Sequence, residues 1–350
     1  MAKFRTLHSV DTEYSADSVE WCPGLDYFVC GTYQLVQAEE VSDEDEATKR
    51  RKGRIYLYKF SAIADCELEK LQTLETAAIL DMKWLPTQCN TESGPLLATV
   101  NAIGQLEIYE LNEEAEELQR RTCLNIEESE SETPPLALAL DWQRQENGIQ
   151  LIVSDSRGNL NLLSYIQTGD NLSKVRSWHA HEFEAWTCAF DRWTPHRVFS
   201  GGDDGLLRAY DLRTEQLAWT NKAHMAGVTC LLSHPRLEHN LITGSYDEQV
   251  RLFDTRQMKQ SLAELNVEGG VWRLKPHPER DDLILTACMY KNFSLVGLKE
   301  TNLTLLGTYE EHESICYGAD WSPKLSDGLF HMATCSFYDH KLCVSSLQLE

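Results

Sequence analysis

The chain has 350 residues, of which 42 % are hydrophobic and 25 % are charged, and its formal net charge is −23. This composition can build a sizeable core, so a wholly disordered chain is excluded. The excess of carboxylates also argues against a nucleic-acid-binding protein, because neutralising phosphates requires clustered Lys and Arg.

The N-terminal segment and the cysteines bear on location. The opening MAKFRTLHSVDTEY meets charged residues too early for a signal peptide, and no segment approaches the roughly 18 consecutive apolar residues of a membrane span. The 11 cysteines include no CxxC pair, so we expect reduced, mostly buried thiols rather than disulfides or a zinc site. The sequence predicts a cytoplasmic protein with no structural metal and no membrane association.

Seven pairs of short apolar segments follow one another along the chain. The first members read VEWCP, LDMKWLP, LALDWQ, WTCAF, TCLLSHP, VWRLKPHP and GADWSP. The second members read YFVCGTY, PLLATV, IQLIVSD, HRVFSGG, NLITGSY, LILTACM and HMATCSF. Their alternating periodicity, with turn residues in between, predicts β-strands.

The fourth and fifth units carry a fuller phrase. SGGDDG at 200–205 precedes the strand LLRAYDLR, TGSYDE at 243–248 precedes QVRLFDTR, and each phrase follows a histidine, His181 or His224. This order and spacing are the WD-repeat signature. We expect Asp204 and Asp247 to accept a hydrogen bond from the preceding histidine, with Ser200 and Thr243 continuing each network. Tyr210 and Phe253 replace the family's Trp, so the second network is expected to be weaker.

The repeats predict one all-β domain over residues 1–350, a seven-bladed WD-repeat β-propeller. The last unit ends at 344–347 without a fourth strand of its own, and the N-terminal FRTLHSV is predicted to supply that strand and close the ring. Acidic insertions near 36–53 and 125–135 interrupt the rhythm and are expected on one face. They are either solvated loops or a negative rim for a cationic partner.

Aligning the first strands of the units selects one ring of positions near the mouth of the central channel. These positions are Asp17, Leu80, Leu138, Trp186, Thr229, Trp272 and Tyr317. The aromatic residues either pack between blades or form a pocket for a cationic group. In the sixth unit Gly269-Gly270 replaces the repeat histidine and Lys291 replaces the turn Asp, so the segment 268–273 either approaches a ligand or has drifted.

No hydrolase motif is visible, since the chain lacks a G-x-S-x-G elbow, a P-loop and H-E-x-x-H. From the residues alone, the sequence predicts an acidic propeller with an aromatic, partly charged mouth.

Longer phrases resemble the WD-repeat proteins of diphthamide biosynthesis. They include VDTEYSADSVEWCP, CGTYQL, AILDMKW, SDSRGNL, AHEFEAW, SGGDDGLLRAYDLR, TGSYDEQVRLFDTR, GGVWR, YGADWS and ATCSFYDH, and they span almost the whole chain. The resemblance implies a diphthine methyl ester hydrolase, although the family is sometimes labelled diphthine methyltransferase. Such an enzyme removes the methyl ester from over-methylated diphthine on a histidine of translation elongation factor 2. The sequence contains no recognisable methyl-donor domain, which favours the hydrolase and implies no cofactor.

The residues at the mouth are the candidates for this chemistry. As base we consider Glu184 or Asp17, as proton carrier His340 or Tyr338, as oxyanion donors Arg273 with the Gly269 and Gly270 backbone, and as ammonium ligands Trp186, Trp272 and Tyr317. Each has a structural alternative; Asp339, beside His340, occupies the ordinary turn-Asp position.

A non-catalytic adaptor is the alternative function. The segments 210–213 and 253–256 resemble the Asp-x-Arg ends of repeats that dock on the cullin-type ubiquitin ligase adaptor, although Arg213 and Arg256 equally suit a local pair at a strand end. The expected partner is elongation factor 2, or else a ligase adaptor, and the chain is expected to be a monomer.

Overall fold

The structure, a computed structural model, describes residues 2–36, 51–62, 66–85, 94–127, 133–146, 148–214, 216–326 and 328–349. Within these ranges the chain forms 29 β-strands in seven sheets. Neighbouring strands within each sheet run antiparallel.

Each sheet is one blade, and its four main strands are called a to d from the channel outwards. In blade 1 these are β2, β3, β5 and β6, and the short β4 also pairs with β5. Blade 1 contains β2 (Ala16–Trp21), β3 (Tyr27–Thr32), β4 (Gln34–Leu35), β5 (Arg51–Ser61) and β6 (Glu67–Ala77). Blade 2 contains β7 (Ile79–Trp84), β8 (Leu96–Asn101), β9 (Gln105–Asn112) and β10 (Glu117–Asn125). Blade 3 contains β11 (Ala137–Gln145), β12 (Gly148–Asp155), β13 (Asn159–Ile166) and β14 (Asn171–His179).

The remaining blades repeat this order. Blade 4 contains β15 (Thr187–Phe190), β16 (Arg197–Gly201), β17 (Leu207–Asp211) and β18 (Gln216–Asn221). Blade 5 contains β19 (Val228–Ser233), β20 (Asn240–Ser245), β21 (Gln249–Asp254) and β22 (Ala263–Asn266). Blade 6 contains β23 (Arg273–Pro276), β24 (Leu283–Ala287), β25 (Phe293–Lys299) and β26 (Asn302–Tyr309). Blade 7 contains β27 (Cys316–Trp321), β28 (Phe330–Ser336), β29 (Lys341–Leu349) and β1 (Ala2–Asp11).

The innermost strands form a closed ring, because each contacts the next and β27 contacts β2. Their tryptophans join neighbouring blades: the indole Nε1 of Trp84 donates to the carbonyl of Glu20 at 3.1 Å, and that of Trp142 donates to the carbonyl of Lys83 at 3.1 Å. Strands buried on both faces read as apolar runs, whereas an outer strand such as β14 alternates. The predicted all-β, seven-bladed β-propeller is confirmed.

The N-terminal strand closes the ring as predicted. β1 pairs antiparallel with β29, from Ala2 opposite Leu349 to Asp11 opposite Lys341. The last blade therefore takes three strands from one end of the chain and the fourth from the other, which removes two exposed sheet edges.

Hydrogen exchange tests this closure. We expect the amides of residues 4–10 that pair with β29 to exchange as slowly as those of the outer strand β14, because both strands lie in complete antiparallel sheets. Exchange of residues 4–10 at the rate of a free tail would contradict the closed ring.

The repeat network forms as predicted in blade 4. The ring of His181 contacts Asp204 Oδ1 at 2.9 Å and Ser200 Oγ at 2.8 Å. The hydroxyl of Tyr210 donates instead to the carbonyl of Ala180 at 3.3 Å, so the network ends at Ser200.

In blade 5 the predicted His224–Asp247 bond is wrong. His224 Nε2 contacts Thr243 Oγ1 at 2.8 Å, but its Nδ1 has no partner in the described residues. Asp247 instead accepts two hydrogen bonds from the guanidinium of Arg251, at 2.9 and 2.8 Å. A buried cation on strand c thus replaces the histidine as the partner of the turn carboxylate, because a charge-assisted pair outcompetes a neutral one.

A third network in blade 7 was not predicted. His312 contacts Ser336 Oγ at 2.6 Å and Thr334 Oγ1 at 2.9 Å, and Ser336 donates to Asp339 at 2.5 Å. Asp339 therefore occupies the turn-Asp position expected from the sequence.

The acidic insertions fall largely outside the described residues, namely at 37–50 and 128–132. Glu127 is described, and it forms an ion pair of 2.6 Å with Arg157. The common face of the two insertions stays a prediction. The ten cysteines in the described ranges are unpaired. Eight of them are buried, and this burial matches the expectation from the sequence. No helix in these ranges is long and apolar enough to span a membrane.

Candidate active site

One end of the channel is surrounded by the b–c turns and by the loops that connect strand d of one blade to strand a of the next. In blade 4, Thr187 pairs with Gly201, Gly201 with Leu207, and Leu207 with Asn221. The start of strand a, the b–c turn and the end of strand d therefore lie at the same end of the blade. We call this end the mouth face.

Aromatic side chains from four blades meet at the mouth face. Trp272 lies 5.7 Å from Trp186, 6.0 Å from Tyr246 and 4.9 Å from Tyr317 between ring centroids. Trp186 and Tyr246 are 6.1 Å apart. These four rings, the mouth cluster, are all half-buried, so their faces line the entrance of the channel.

The cluster continues around the ring into blades 7 and 1. Phe337 lies 5.5 Å from Tyr317, 5.9 Å from Tyr33 and 5.0 Å from Tyr338. Tyr338 itself is 72 % exposed. The aromatic surface therefore runs without interruption from blade 4 to blade 1.

Two close approaches hold the cluster in place. Trp186 Nε1 donates to Asp203 Oδ1 at 2.9 Å, and this carboxylate lies so near Gly227 that a Cβ there would stand 2.8 Å from it. A Cβ on Gly270 would stand 2.7 Å from Met289 Sδ and 3.4 Å from the Tyr246 ring. The backbone of blades 5 and 6 therefore packs directly against the cluster, and a side chain at either glycine would have to displace Asp203 or Met289.

Asp17 lies on the floor of the mouth. The residue is 4 % exposed, and its Oδ2 is buried without a hydrogen-bond partner within the described ranges. Burial raises the pKa of Asp17 to about 7, although the nearby charge of Arg273 lowers it. The Asp17 charge in turn contributes to raising the pKa of Tyr317, which burial raises most. A carboxyl with this pKa is half ionised near neutral pH and is suited to exchange a proton.

A second polar atom of the mouth is left unpaired. The indole Nε1 of Trp272 is buried and has no acceptor among the described residues, whereas the same atom of Trp186 is bonded to Asp203. An unpaired buried donor and an unpaired buried acceptor are both costly. Both atoms are therefore free to bond to a polar group that enters the mouth.

A charged network fills the channel below. Arg273 donates to the carbonyl of Leu80 at 3.0 Å and pairs with Asp81 at 3.1 Å. Burial opposes ionisation of Asp81, but Arg273, Lys83 and the Leu140 amide outweigh it and lower its pKa. The structure therefore places Arg273 below the mouth, where it pairs with Asp81. The sequence had grouped it with the residues of the mouth, and this grouping is wrong.

A cavity of about 850 Å³ occupies the channel beneath this network. It is lined by Lys83, Asp141, Arg192, Arg273 and Lys275 and by a–b loop residues such as Glu146 and Pro235, so it opens on the opposite face. Burial raises the pKa of Glu20 in the same channel to about 7, despite its ion pair with Lys275.

The other predicted residues are placed as follows. Glu184 is half-buried and its charge acts on Tyr246, so it belongs to the rim of the mouth cluster. The amides of Gly269 and Gly270 donate no hydrogen bond within the described part of the chain. The His340 ring makes no hydrogen bond or ring contact with the mouth cluster in this part either, and its carbonyl binds Thr12.

Sequence reasoning missed Tyr246, Asp203, Phe337 and Tyr33. Each lies within two residues of the end of its strand b, a region that the alignment on strand a did not include. A second alignment on the b–c turns would have selected them together.

No group of three or more His, Cys, Asp or Glu side chains within the described ranges is arranged to hold a metal ion.

Comparison with known proteins identifies the family. Residues 215–254 match the family model of the WD domain, G-beta repeat. The human protein named diphthine methyltransferase is 40 % identical over 95 % of this chain and 77 % of its own length. The chain belongs to the diphthine methyltransferase family. The Schizosaccharomyces pombe diphthine methyltransferase is 32 % identical over 95 % of both chains, and the Dictyostelium discoideum homolog is 31 % identical over 95 % of this chain and 96 % of its own.

Membership of the diphthine methyltransferase family makes the chain an enzyme and does not favour the adaptor alternative. Arg213 pairs with Asp211 at 2.7 Å and Arg256 with Asp254 at 2.6 Å, so the Asp-x-Arg motifs form local pairs at strand ends. Among solved structures, a chain of the crystal structure of the mitotic checkpoint complex matches with a TM-score of 0.70, at 15 % identity over 99 % of this chain and 94 % of its own. That likeness concerns the fold alone.

Proposed function

We propose that this member of the diphthine methyltransferase family is a carboxyl methylesterase that hydrolyses the methyl ester of over-methylated diphthine on translation elongation factor 2. The observation that carries the proposal is the combination of an aromatic mouth with a buried carboxyl of neutral pKa at its floor. The product would be a free carboxylate, ready for amidation. The proposed location is cytoplasmic, and the proposed state is a monomer.

The mouth cluster would hold the trimethylammonium group of diphthine. Aromatic faces attract a cation within about 6 Å of the ring centroid, and Trp186, Trp272 and Tyr246 lie within 6.1 Å of each other. The carboxylates of Asp203 and Glu184 beside Tyr246 add negative charge. Cation and ester of the substrate would therefore sit at adjacent points of the mouth.

Asp17 would act as the general base. In its ionised form, the unpaired Oδ2 accepts a proton from a water molecule, whose oxygen bonds to the ester carbonyl carbon while the carbonyl electron pair moves onto oxygen. The electron pair of the oxyanion then re-forms the carbonyl, the bond from carbon to the methoxy oxygen breaks, and this oxygen takes a proton from the candidate carrier, Tyr338 or His340, and leaves as methanol. Arg273 would act through Asp17, because its charge lowers the pKa that burial raises.

The oxyanion would be stabilised by donors that have no partner in the free protein. Trp272 Nε1 and the amides of Gly269 and Gly270 meet this condition within the described residues, and preorganised donors at developing charge are a large source of catalysis. Tyr338 and His340 stay candidates for protonating the leaving group.

The ammonium site is tested by Trp186→Leu. The substitution removes the ring face of Trp186 together with the hydrogen bond from its Nε1 to Asp203. We expect KM for the cationic ester to rise about tenfold, from the loss of about 1–2 kcal/mol of cation–π attraction, with little change in kcat.

A neutral ester, in which a tert-butyl group replaces the trimethylammonium group, provides the comparison. Trp186→Leu should leave its KM nearly unchanged, whereas Trp193→Leu, on the opposite face, should affect neither ester. An equal rise in KM for both esters after Trp186→Leu would contradict the proposal that Trp186 binds the cation.

The esterase itself is tested by mass spectrometry. Elongation factor 2 carrying methylated diphthine is incubated with the purified protein and no other enzyme. Loss of one methylene mass supports the proposal. An unchanged mass with folded protein and verified substrate contradicts it.

A further inference from the structure

We propose that the mouth face carries a docking surface for the protein that bears the substrate residue. The surface consists of four exposed side chains, Phe183, Met225, Tyr290 and Tyr338, which we call the apolar arc. The inference rests on the proposed function in that the substrate residue belongs to a folded protein.

The apolar arc is strongly exposed. Phe183 is 60 % exposed, Met225 85 %, Tyr290 78 % and Tyr338 72 %. Scattered single apolar residues are normal on a protein surface, whereas an apolar patch that is continuous with a binding site marks a contact surface. Here one residue comes from each of four consecutive blades, through the loops that enter blades 4 and 5 and the b–c turns of blades 6 and 7.

The arc is continuous with the candidate active site. Tyr338 packs on Phe337 at 5.0 Å, and Phe337 packs on Tyr317 of the mouth cluster at 5.5 Å. A partner that places one side chain in the mouth must therefore cover the arc.

The charge of the surrounding loops defines the partner further. On blades 4 to 7 the fully described loops of the mouth face carry two cationic residues, Lys222 and Lys291, and Lys291 is paired with Glu268 at 2.8 Å. Outside the turn-Asp positions, the same loops carry the carboxylates Glu182, Glu184, Asp203, Glu248, Glu268, Glu310, Glu311 and Glu313.

An apolar arc inside an acidic rim fits one kind of occupant: a protein surface with apolar residues at its centre and Lys or Arg around them. Opposite charges steer the two surfaces together and reject acidic partners, while the apolar centre slows dissociation. The occupant we commit to is the face of elongation factor 2 around its modified histidine.

The test uses the triple variant Phe183→Ser, Met225→Ser and Tyr290→Ser in the full chain. Tyr338 is left intact because it is a candidate for proton transfer. The matched control is Leu217→Ser, Leu262→Ser and Leu305→Ser, which removes three apolar residues that are 44–50 % exposed near the outer strands of blades 4 to 6. Two probes are used: elongation factor 2 carrying methylated diphthine, and the methyl ester of a free α-trimethylammonio acid.

We expect the arc variant to raise the Kd and KM for the protein substrate about tenfold or more, with unchanged kcat/KM for the free ester. The control should match the wild type with both probes. Unchanged Kd for the protein in the arc variant, or an equal loss in the control, overturns the docking surface. The two proposals can fail separately. If the wild type hydrolyses neither ester but the arc variant still binds the protein more weakly, the docking surface is supported and only the esterase is overturned.

Discussion

Asp17→Asn is expected to lower kcat/KM for the methylated diphthine ester by about a thousandfold. The amide keeps the size of the side chain but cannot accept a proton from water, and general-base catalysis is worth roughly 10²–10⁴ in rate. The fold should tolerate the change, because burial already opposes ionisation of this carboxyl. Steady-state kinetics with elongation factor 2 as substrate measures the effect, and circular dichroism verifies folding.

The pH profile separates a base from a structural carboxyl. A general base works in its ionised form, so kcat/KM of the wild type should rise with pH and level off above about 7, the pKa to which burial raises Asp17. The residual activity of Asp17→Asn should lack this rise. Glu20→Gln is the control, since burial raises the pKa of Glu20 to the same value but this residue pairs with Lys275 in the channel.

If kcat/KM of Asp17→Asn kept the wild-type pH dependence and kcat/KM of Glu20→Gln lost it, the titrating group would be Glu20 in the channel. Full activity of Asp17→Asn would exclude Asp17 as the base.

Much of the fold followed from the sequence, because its determinants are local. Apolar strand segments, the turns between them and the missing fourth strand of the last blade can all be counted along the chain, and β1 pairs with β29 as that count required. The failure in blade 5 has a different origin. Asp247 has two possible buried partners, and pattern alone did not show that Arg251 rather than His224 would bind it.

The site was predictable only in part. Asp17, Trp186, Trp272 and Tyr317 share one position of strand a, so a single alignment grouped them. Tyr246 reaches the same cluster from a b–c turn, and residues that converge from different elements are not adjacent in any one pattern. Arg273 follows Trp272 in sequence but pairs with Asp81 in the channel below the mouth, because successive residues along an extended chain point to opposite sides.

Trp272→Phe and Trp186→Phe form a matched pair with different expected results. Both substitutions keep an aromatic face in the mouth cluster and remove an indole N–H. In Trp186 that N–H is bonded to Asp203, whereas in Trp272 it is buried without an acceptor in the described residues. If Trp272 Nε1 donates to the oxyanion, Trp272→Phe should lower kcat about a hundredfold, the typical cost of one oxyanion donor.

KM should change little in Trp272→Phe, because the bond forms only as charge develops on the ester oxygen. Trp186→Phe should change kcat by less than about threefold, since the lost bond to Asp203 lies outside the reacting groups. Stopped-flow or steady-state kinetics on both variants gives the comparison. Equal kcat values for the two variants would mean that the unpaired indole takes no part in the reaction and that the Gly269 and Gly270 amides are the donors to examine.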